Sequence, residues 1–417
     1  MSLAWISLAA LTLAVVGGIA LRLNVGLLAF AMAYVVGVGL GDLRASEVTA
    51  GFPVQLFVVL VAVMLLFAQA QVNGTLSKLA RQSVRLARGN LGMVPIIFFA
   101  LTVGIATLGG GNIAASALIA PVAMAAAGRL GISAFLMTIM VGNGANAGAY
   151  SPIAPTGIVA NGLMERAGLV GMQWQTFWNT FFAQSFVAFA GYFLLGGLAL
   201  LRSGRTADVA AHLPPEDLEP FTGAQWITLG TLVALLAAII LLDVDIVVGA
   251  FAAVAVLLLT RVASDEAAVK AVPWGTILMV CGVSTLVSVL EKTGGIGVIV
   301  DMLVAVSTPT SVTGMVALVS GLISAYSSTV GVVLPTFLPT VPGLAQRLGA
   351  DPMAIASSIN VGGHLVDVSP LSTIGAICVA AYTGPEDRRA LFNKVLAWGL
   401  SMAVVGAVVC WVFFGLL

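Results

Sequence analysis

GANAGAYSPIAPTGI, residues 144–158, is written a second time as GGHLVDVSPLSTIGA, residues 362–376. The two stretches share Ser-Pro at 151–152 and 369–370 and a glycine at 157 and 375, an offset of 218. Upstream, AWISLAALTLAVVGGIALRLNVGLLAFA from Ala4 pairs with QWITLGTLVALLAAIILLDVDIVVGAFA from Gln225. That pairing puts Trp5 on Trp226, Asn24 on Asp245 and Phe30 on Phe251, at an offset of 221. Between these lies a third match, FPVQLFVVLVAVMLLFAQAQVNGT against VPWGTILMVCGVSTLVSVLEKTGG, with Pro53 on Pro273 and Gly74 on Gly294. Three matches in chain order mark a duplicated chain. The first 20 residues match an internal segment, so they belong to the fold rather than to a signal sequence, and they lack its basic start.

The material between the matches is apolar. Of 417 residues, 60% are hydrophobic and 8% are charged, against roughly 25% charged in soluble domains. Uncharged runs at 130–164, 167–201 and 302–346 each exceed the roughly 20 residues that cross a bilayer as a helix. These long runs lack the alternation of a membrane barrel. The chain therefore reads as an all-α polytopic membrane protein. The 17 basic and 17 acidic residues balance, with no basic tail or acidic block, so nothing points to nucleic acid. Cys281, Cys378 and Cys410 have no metal or redox spacing.

Each copy divides into three spans, an interrupted apolar pair, a broken span and a last span. In the first repeat (1–200) the spans lie near 2–20, 25–41 and 53–72, the pair at 91–127, the broken helix at 132–166 and the last span at 172–200. A linker at 201–222 leads to the second repeat (223–417). There the spans lie near 224–242, 245–260 and 272–290, the pair at 311–346, the broken helix at 352–383 and the last span at 390–416. The basic amphipathic stretch SKLARQSVRLARG, 77–89, belongs at the interface. With that stretch in the cytoplasm, 13 of the 17 Lys and Arg face inside and only Arg44, Arg166, Lys292 and Arg347 face outside. Reading each pair as a re-entrant hairpin gives each copy five crossings. The copies are then inverted and both termini lie outside. Inverted repeats are the mark of secondary transporters. The alternative is a plain turn between two full spans, since loop charges fit both.

The paired interruptions point to the site. They are GGGN at 109–112 against YSST at 326–329, and SPIAPTG at 151–157 against SPLSTIG at 369–375. Helix N-termini at such breaks offer unpaired amides and partial positive charge, so they can hold an anion without arginine. Asn112, Ser328 and Thr329 can donate as well, and carbonyls freed by proline suit a sodium ion. His364 and Asp367 precede the second Ser-Pro, where the first copy has Asn146 and Ala149. Ionisable groups inside a span are functional candidates by default. Here they are the candidates for proton coupling, against a structural reading in which His364 is a neutral hydrogen-bonding partner. Gln69, Gln71 and Asn73 read as helix-packing groups, and Trp5, Trp174, Trp178 and Trp226 as interfacial anchors.

The chain, with GNGANAGAYSPIAPTGI in it, resembles the MatC malonate and dicarboxylate carriers over essentially its whole length, most strongly over residues 51–170. That family is similar to the ion transporter superfamily that includes the divalent anion–sodium symporters. The resemblance implies homodimers in which a transport domain moves like an elevator against a scaffold. It implies substrate at Gly110, Gly111 and Asn112 of the first tip and Ser327, Ser328 and Thr329 of the second, with Pro155, Thr156, Ser372 and Thr373. Sodium would lie at Asn112, Ala154, Ser328 and Ser372. Relatives carry Ser-Asn-Thr at both tips; here the middle asparagines are absent.

The expectation is therefore an importer of a small dicarboxylate in a bacterial inner membrane, with co-transported sodium or protons and no resident cofactor. The alternatives are proton coupling, an inorganic-ion or drug exporter on the same scaffold, and the membrane subunit of a binding-protein-dependent system. His364 and Asp367 form no set with a nucleophile or metal, so the chain is not read as an enzyme.

Overall fold

The computed structural model describes residues 2–21, 23–76, 78, 82, 90–202, 220–242, 244–382 and 384–416. Most of the basic stretch at 77–89 and residues 203–219 of the linker lie outside the described residues. The described residues form helices and connections, with no β-strand among them.

The first half begins with α1 (Leu3–Leu21) and α2 (Val25–Tyr34), which a π-helical turn extends over Val35–Leu40. Short α3 (Ala45–Thr49) and long α4 (Val54–Val72) follow. Then come α5 (Met93–Ile105) and α6 (Gly111–Leu130), joined through a widened turn over Ala106–Gly110. The broken helix is α7 (Ala134–Gly148) and α8 (Pro155–Arg166), and α9 (Gln173–Leu194) with short α10 (Gly197–Arg202) closes the half.

The second half repeats this order as α11 (Gly223–Leu242), α12 (Ile246–Leu259), α13 (Asp265–Ala271) and α14 (Trp274–Thr293). After α14 comes α15 (Gly295–Ala305), a helix the apolar-run reading does not anticipate. Its 11 residues are too short to stand out as a span. The pair is α16 (Val312–Ser324) and a second arm divided into Thr329–Val333, α17 (Leu334–Phe337), Leu338–Thr340 and α18 (Val341–Leu348). Pro335, Pro339 and Pro342 account for that division, because each removes an amide from the helical ladder. The broken helix is α19 (Pro352–Leu365) and α20 (Thr373–Ala381), and α21 (Arg388–Cys410) ends the half.

Positions paired in the sequence share local conformation. Asn24 and Asp245 both cap their helices, accepting from Gly26 N and from Val247 N and Val248 N. Pro53 and Pro273 precede α4 and α14 with nearly equal backbone angles (φ −81°, ψ 74° and φ −78°, ψ 67°). Gly74 and Gly294 both follow these helices at positive φ, 74° and 82°.

Packing is reciprocal as well: α2 lies on α14, and α12 lies on α4. In each half the pair packs on the broken helix, with α5 and α6 on α7 and α16 on α19. Among the described residues, five helical runs are long and apolar enough to cross a membrane: Val54–Val72, Met93–Leu130, Trp274–Thr293, Thr329–Leu348 and Arg388–Leu416. Trp5, Trp174, Trp178 and Trp226 are exposed, while all three cysteines are buried and free.

Candidate functional site

At the first tip the backbone itself explains the glycines. Gly109 has φ 115°, and a Cβ there would stand 2.5 Å from the Phe67 ring. Gly111 has φ 70° and lies against Pro155, whose Cδ would be 3.2 Å from such a Cβ. Neither conformation is accessible to an ordinary side chain without strain. The turn they make ends α5 and starts α6 at Gly111, presenting the first amides of α6.

Asn112 follows, 5% exposed. Its Nδ2 donates to Asn146 Oδ1 at 2.9 Å, and its Oδ1 accepts from Ile113 N at 3.0 Å. Asn146 Nδ2 in turn donates to the His364 carbonyl at 2.9 Å. A carbonyl can only accept, so that bond fixes which way the Asn146 amide points. Asn112 must then offer its nitrogen to Asn146.

The second tip is built on hydroxyls. Ser328 caps the second arm by accepting from Gly331 N at 3.0 Å. Thr329 donates to Asp367 Oδ1 at 2.9 Å, and its hydroxyl lies 2.5 Å from Ser324 Oγ and 3.3 Å from the Gly363 carbonyl. Ser324 and Ser372 reach the same Asp367 oxygen at 3.2 Å each. Three hydroxyls thus surround one carboxylate oxygen, on a residue only 6% exposed.

The Ser-Pro breaks are closed by backbone contact. A Cβ on Gly157 would stand 2.0 Å from the Ser151 carbonyl oxygen, and one on Gly375 would stand 2.3 Å from that of Ser369. At each break an amide three residues on returns to that serine carbonyl, Ala154 N at 2.9 Å and Ser372 N at 3.0 Å. Proline at the first position of α8 and serine before α20 then let the helices restart.

Two cavities meet these elements. One, of about 220 Å³, is lined by Gly110, Gly111, Asn112, Pro155 and Thr156 of the expected residues, with Gln71 and Thr276. The other, of about 580 Å³, is lined by Asn112, Ser327, Ser328, Thr329, Asp367, Ser372 and Thr373. Asn112 and Thr276 face both. The helices α6, α8 and α20 all begin at cavity-lining residues. Among the described residues no lysine or arginine lines either cavity, and Asp367 is the one charged side chain.

Ala154 is buried and lines neither cavity, unlike Asn112, Ser328 and Ser372, which line the larger one. His364 is fully buried, with Nδ1 2.8 Å from the Tyr150 hydroxyl and 3.2 Å from the Asn360 carbonyl. Its Nε2 has no hydrogen-bond partner and lies 3.9 Å from Asp367 Oδ2. Of the three groups read as packing, Asn73 does bond Thr228 at 2.7 Å, whereas Gln71 lines the smaller cavity. Ser324 and Tyr150 were not anticipated. Ser324 ends α16 just before the second tip and Tyr150 lies between α7 and α8, and both join the site through contacts with α19 or the residues that follow it. Asn146 had a signal, since it occupies the register position of His364.

Residues 1–149 match the family model for the dicarboxylate carrier protein MatC N-terminus. No curated protein matches the chain in sequence. In structure it is similar to the YdaH transporter of Alcanivorax borkumensis, with a TM-score of 0.62 and 18% identity over 94% of this chain and 97% of that one. It is also similar to MtrF of Neisseria gonorrhoeae, described with a class of antimetabolite efflux pumps, with a TM-score of 0.58 and 14% identity over 89% and 83%. The resemblance to the MatC carriers is thus matched over the first 149 residues. The chain has the apolar helices of a multi-pass membrane protein and the fold of known transporters, and its match to a carrier family over residues 1–149 points to transport rather than catalysis.

Proposed function

We propose that this chain, matched over residues 1–149 to the dicarboxylate carriers, imports a small dicarboxylate such as malonate or a four-carbon acid together with sodium. The observation that carries the reading is the cavity of about 580 Å³ in which, among the described residues, Asp367 is the one charged lining residue. Helix N-termini and the donors Asn112 and Ser328 can hold a carboxylate there. The Asp367 charge opposes it: at about 6 Å and an effective dielectric of about 20, each substrate carboxylate is repelled by about 3 kcal/mol. A cation on Asp367 removes that repulsion, so anion and cation bind together.

Sodium is preferred because the groups around Asp367 are oxygens. A hydroxyl that turns its hydrogen away exposes lone pairs, and the Gly363 carbonyl adds another ligand. A proton on Asp367 is the second reading, favoured by the His364 ring 3.9 Å from its other oxygen.

The reading carries inverted repeats with re-entrant hairpins, an elevator motion, a homodimer, and an inner membrane with both termini outside. Reciprocal packing of α2 on α14 and α12 on α4 supports the repeats, the charge asymmetry of the loops supports the orientation, and the family resemblance supports the rest. Direction is a separate matter, because MtrF, similar in fold, is described with efflux pumps.

Uptake of labelled malonate into proteoliposomes tests all of this. The expected result is accumulation driven by an inward sodium gradient at clamped voltage and matched pH. Accumulation that follows only a proton gradient would replace sodium with the proton, and outward transport against a proton gradient would make the chain an exporter. Asn112→Ala is expected to raise the half-saturating malonate concentration about tenfold at a similar maximal rate, the cost of one donor to a charged acceptor. Unchanged kinetics in a folded variant would remove the first tip from the site.

A further inference from the structure

A third cavity, of about 360 Å³, lies at the far ends of the helices that frame the smallest one. On α8, Pro155, Thr156 and Val159 line the smallest cavity, and Leu163 and Arg166 line the third. On α14, Thr276 and Val280 line the smallest, and Ser284, Ser288 and Glu291 line the third. Val159 to Leu163 and Val280 to Ser284 each span about 6 Å of helix. The two spaces are thus consecutive along one pair of helices, separated by about one turn of packed side chains that includes the fully buried Val283.

The third cavity is chemically distinct. Arg166 is the one basic side chain lining any of the three among the described residues. Ser284 is 5% exposed, and its hydroxyl has no hydrogen-bond partner among the described residues although it lies on the cavity wall. Leaving a buried hydroxyl unpaired is costly, and a ligand or water would satisfy it.

We propose that this cavity is the second mouth of the transport route and a docking site for the carboxylate anion, with Arg166 as the attracting charge and Ser284 as a donor. The proposal rests on the import reading above. Glu291 shares the cavity and offsets part of the Arg166 field, so an anion held there can also leave toward the binding site, as a station along a permeation path requires. Loop charges place this mouth outside.

The test uses Ser288→Cys as reporter in sealed vesicles, with Ala167→Cys as a second reporter from the other helix. The native cysteines are buried and contribute little background. Thr276→Cys reports on the smallest cavity. Anionic and cationic methanethiosulfonates are applied from each side. The expected result is labelling of Ser288→Cys and Thr276→Cys from opposite sides. The anionic reagent should react faster than the cationic one at Ser288→Cys, and Arg166→Gln should lower that ratio about tenfold, the equivalent of one modest charge contact. Glu291→Gln should raise the ratio. Malonate should slow labelling while Arg166 is present.

Labelling of both reporters from the same side, or a ratio unmoved by Arg166→Gln, would overturn the proposal. A ratio that falls without protection by malonate would leave the anion mouth standing and remove the dicarboxylate from it.

Discussion

Asp367→Asn abolishes sodium-driven accumulation of malonate while exchange of labelled for unlabelled malonate across the membrane continues. The expectation follows from the three hydroxyls that surround one oxygen of that side chain, Ser324, Thr329 and Ser372. The amide oxygen can still accept from them, so the local packing persists. The negative charge does not persist, and with it goes the reason for a cation to enter. Asparagine therefore imitates the neutralised state: substrate binds and crosses, but no ion gradient is harnessed.

Asp367→Ala removes the acceptor as well and leaves the hydroxyls unpaired in a buried place. Both uptake and exchange then fall by about a hundredfold, which corresponds to roughly 3 kcal/mol lost at one buried charged hydrogen-bonding centre. The pair of measurements separates a coupling residue from a structural one. Sodium-driven accumulation that survives in Asp367→Asn would assign the cation elsewhere.

The second large effect is structural. Gly157→Ala should destabilise the protein by about 3 kcal/mol or more, since overpacking of a close contact commonly costs 1–3 kcal/mol and here the contact is with fixed backbone. The added methyl would sit 2.0 Å from the Ser151 carbonyl oxygen. The corresponding Gly375→Ala meets Ser369 at 2.3 Å and should behave alike. Melting in detergent, followed by size exclusion, reads the loss directly. As a control, Gly162→Ala lies on the same helix as Gly157 with nothing near the added carbon, and it should melt at the wild-type temperature or above. Equal melting of Gly157→Ala and wild type would mean that the break opens freely, contrary to its tight closure here.

Much of the architecture was legible because it is written in local physics. Asn24 and Asp245 read in the sequence only as matched positions of the two copies, and the match has a local cause, since each accepts from the first amides of its helix. Pro53, Pro273, Gly74 and Gly294 likewise read as matches and bound α4 and α14 in the structure. The tips were legible for a related reason: glycines and polar residues are poor occupants of a buried helix, so GGGN and YSST stood out.

What could not be read were meetings between distant segments. Ser324 is an unremarked serine near the end of α16 until Asp367, 43 residues on, comes within 3.2 Å. Arg166 reads as one more loop charge, because its cavity is walled by α14 and by the prolines of the second arm. Helix α15 is too short to stand out among apolar runs.

The Asn146 amide has a mechanical consequence. It holds Asn112 of the first tip with one end and the His364 carbonyl of the second broken helix with the other. The first tip and the second broken helix are therefore tied through a single side chain, and neither can shift by more than a bond's tolerance unless the other follows. In the proposed elevator motion, the wall built on the first tip and the wall built on the second broken helix would travel as one cargo.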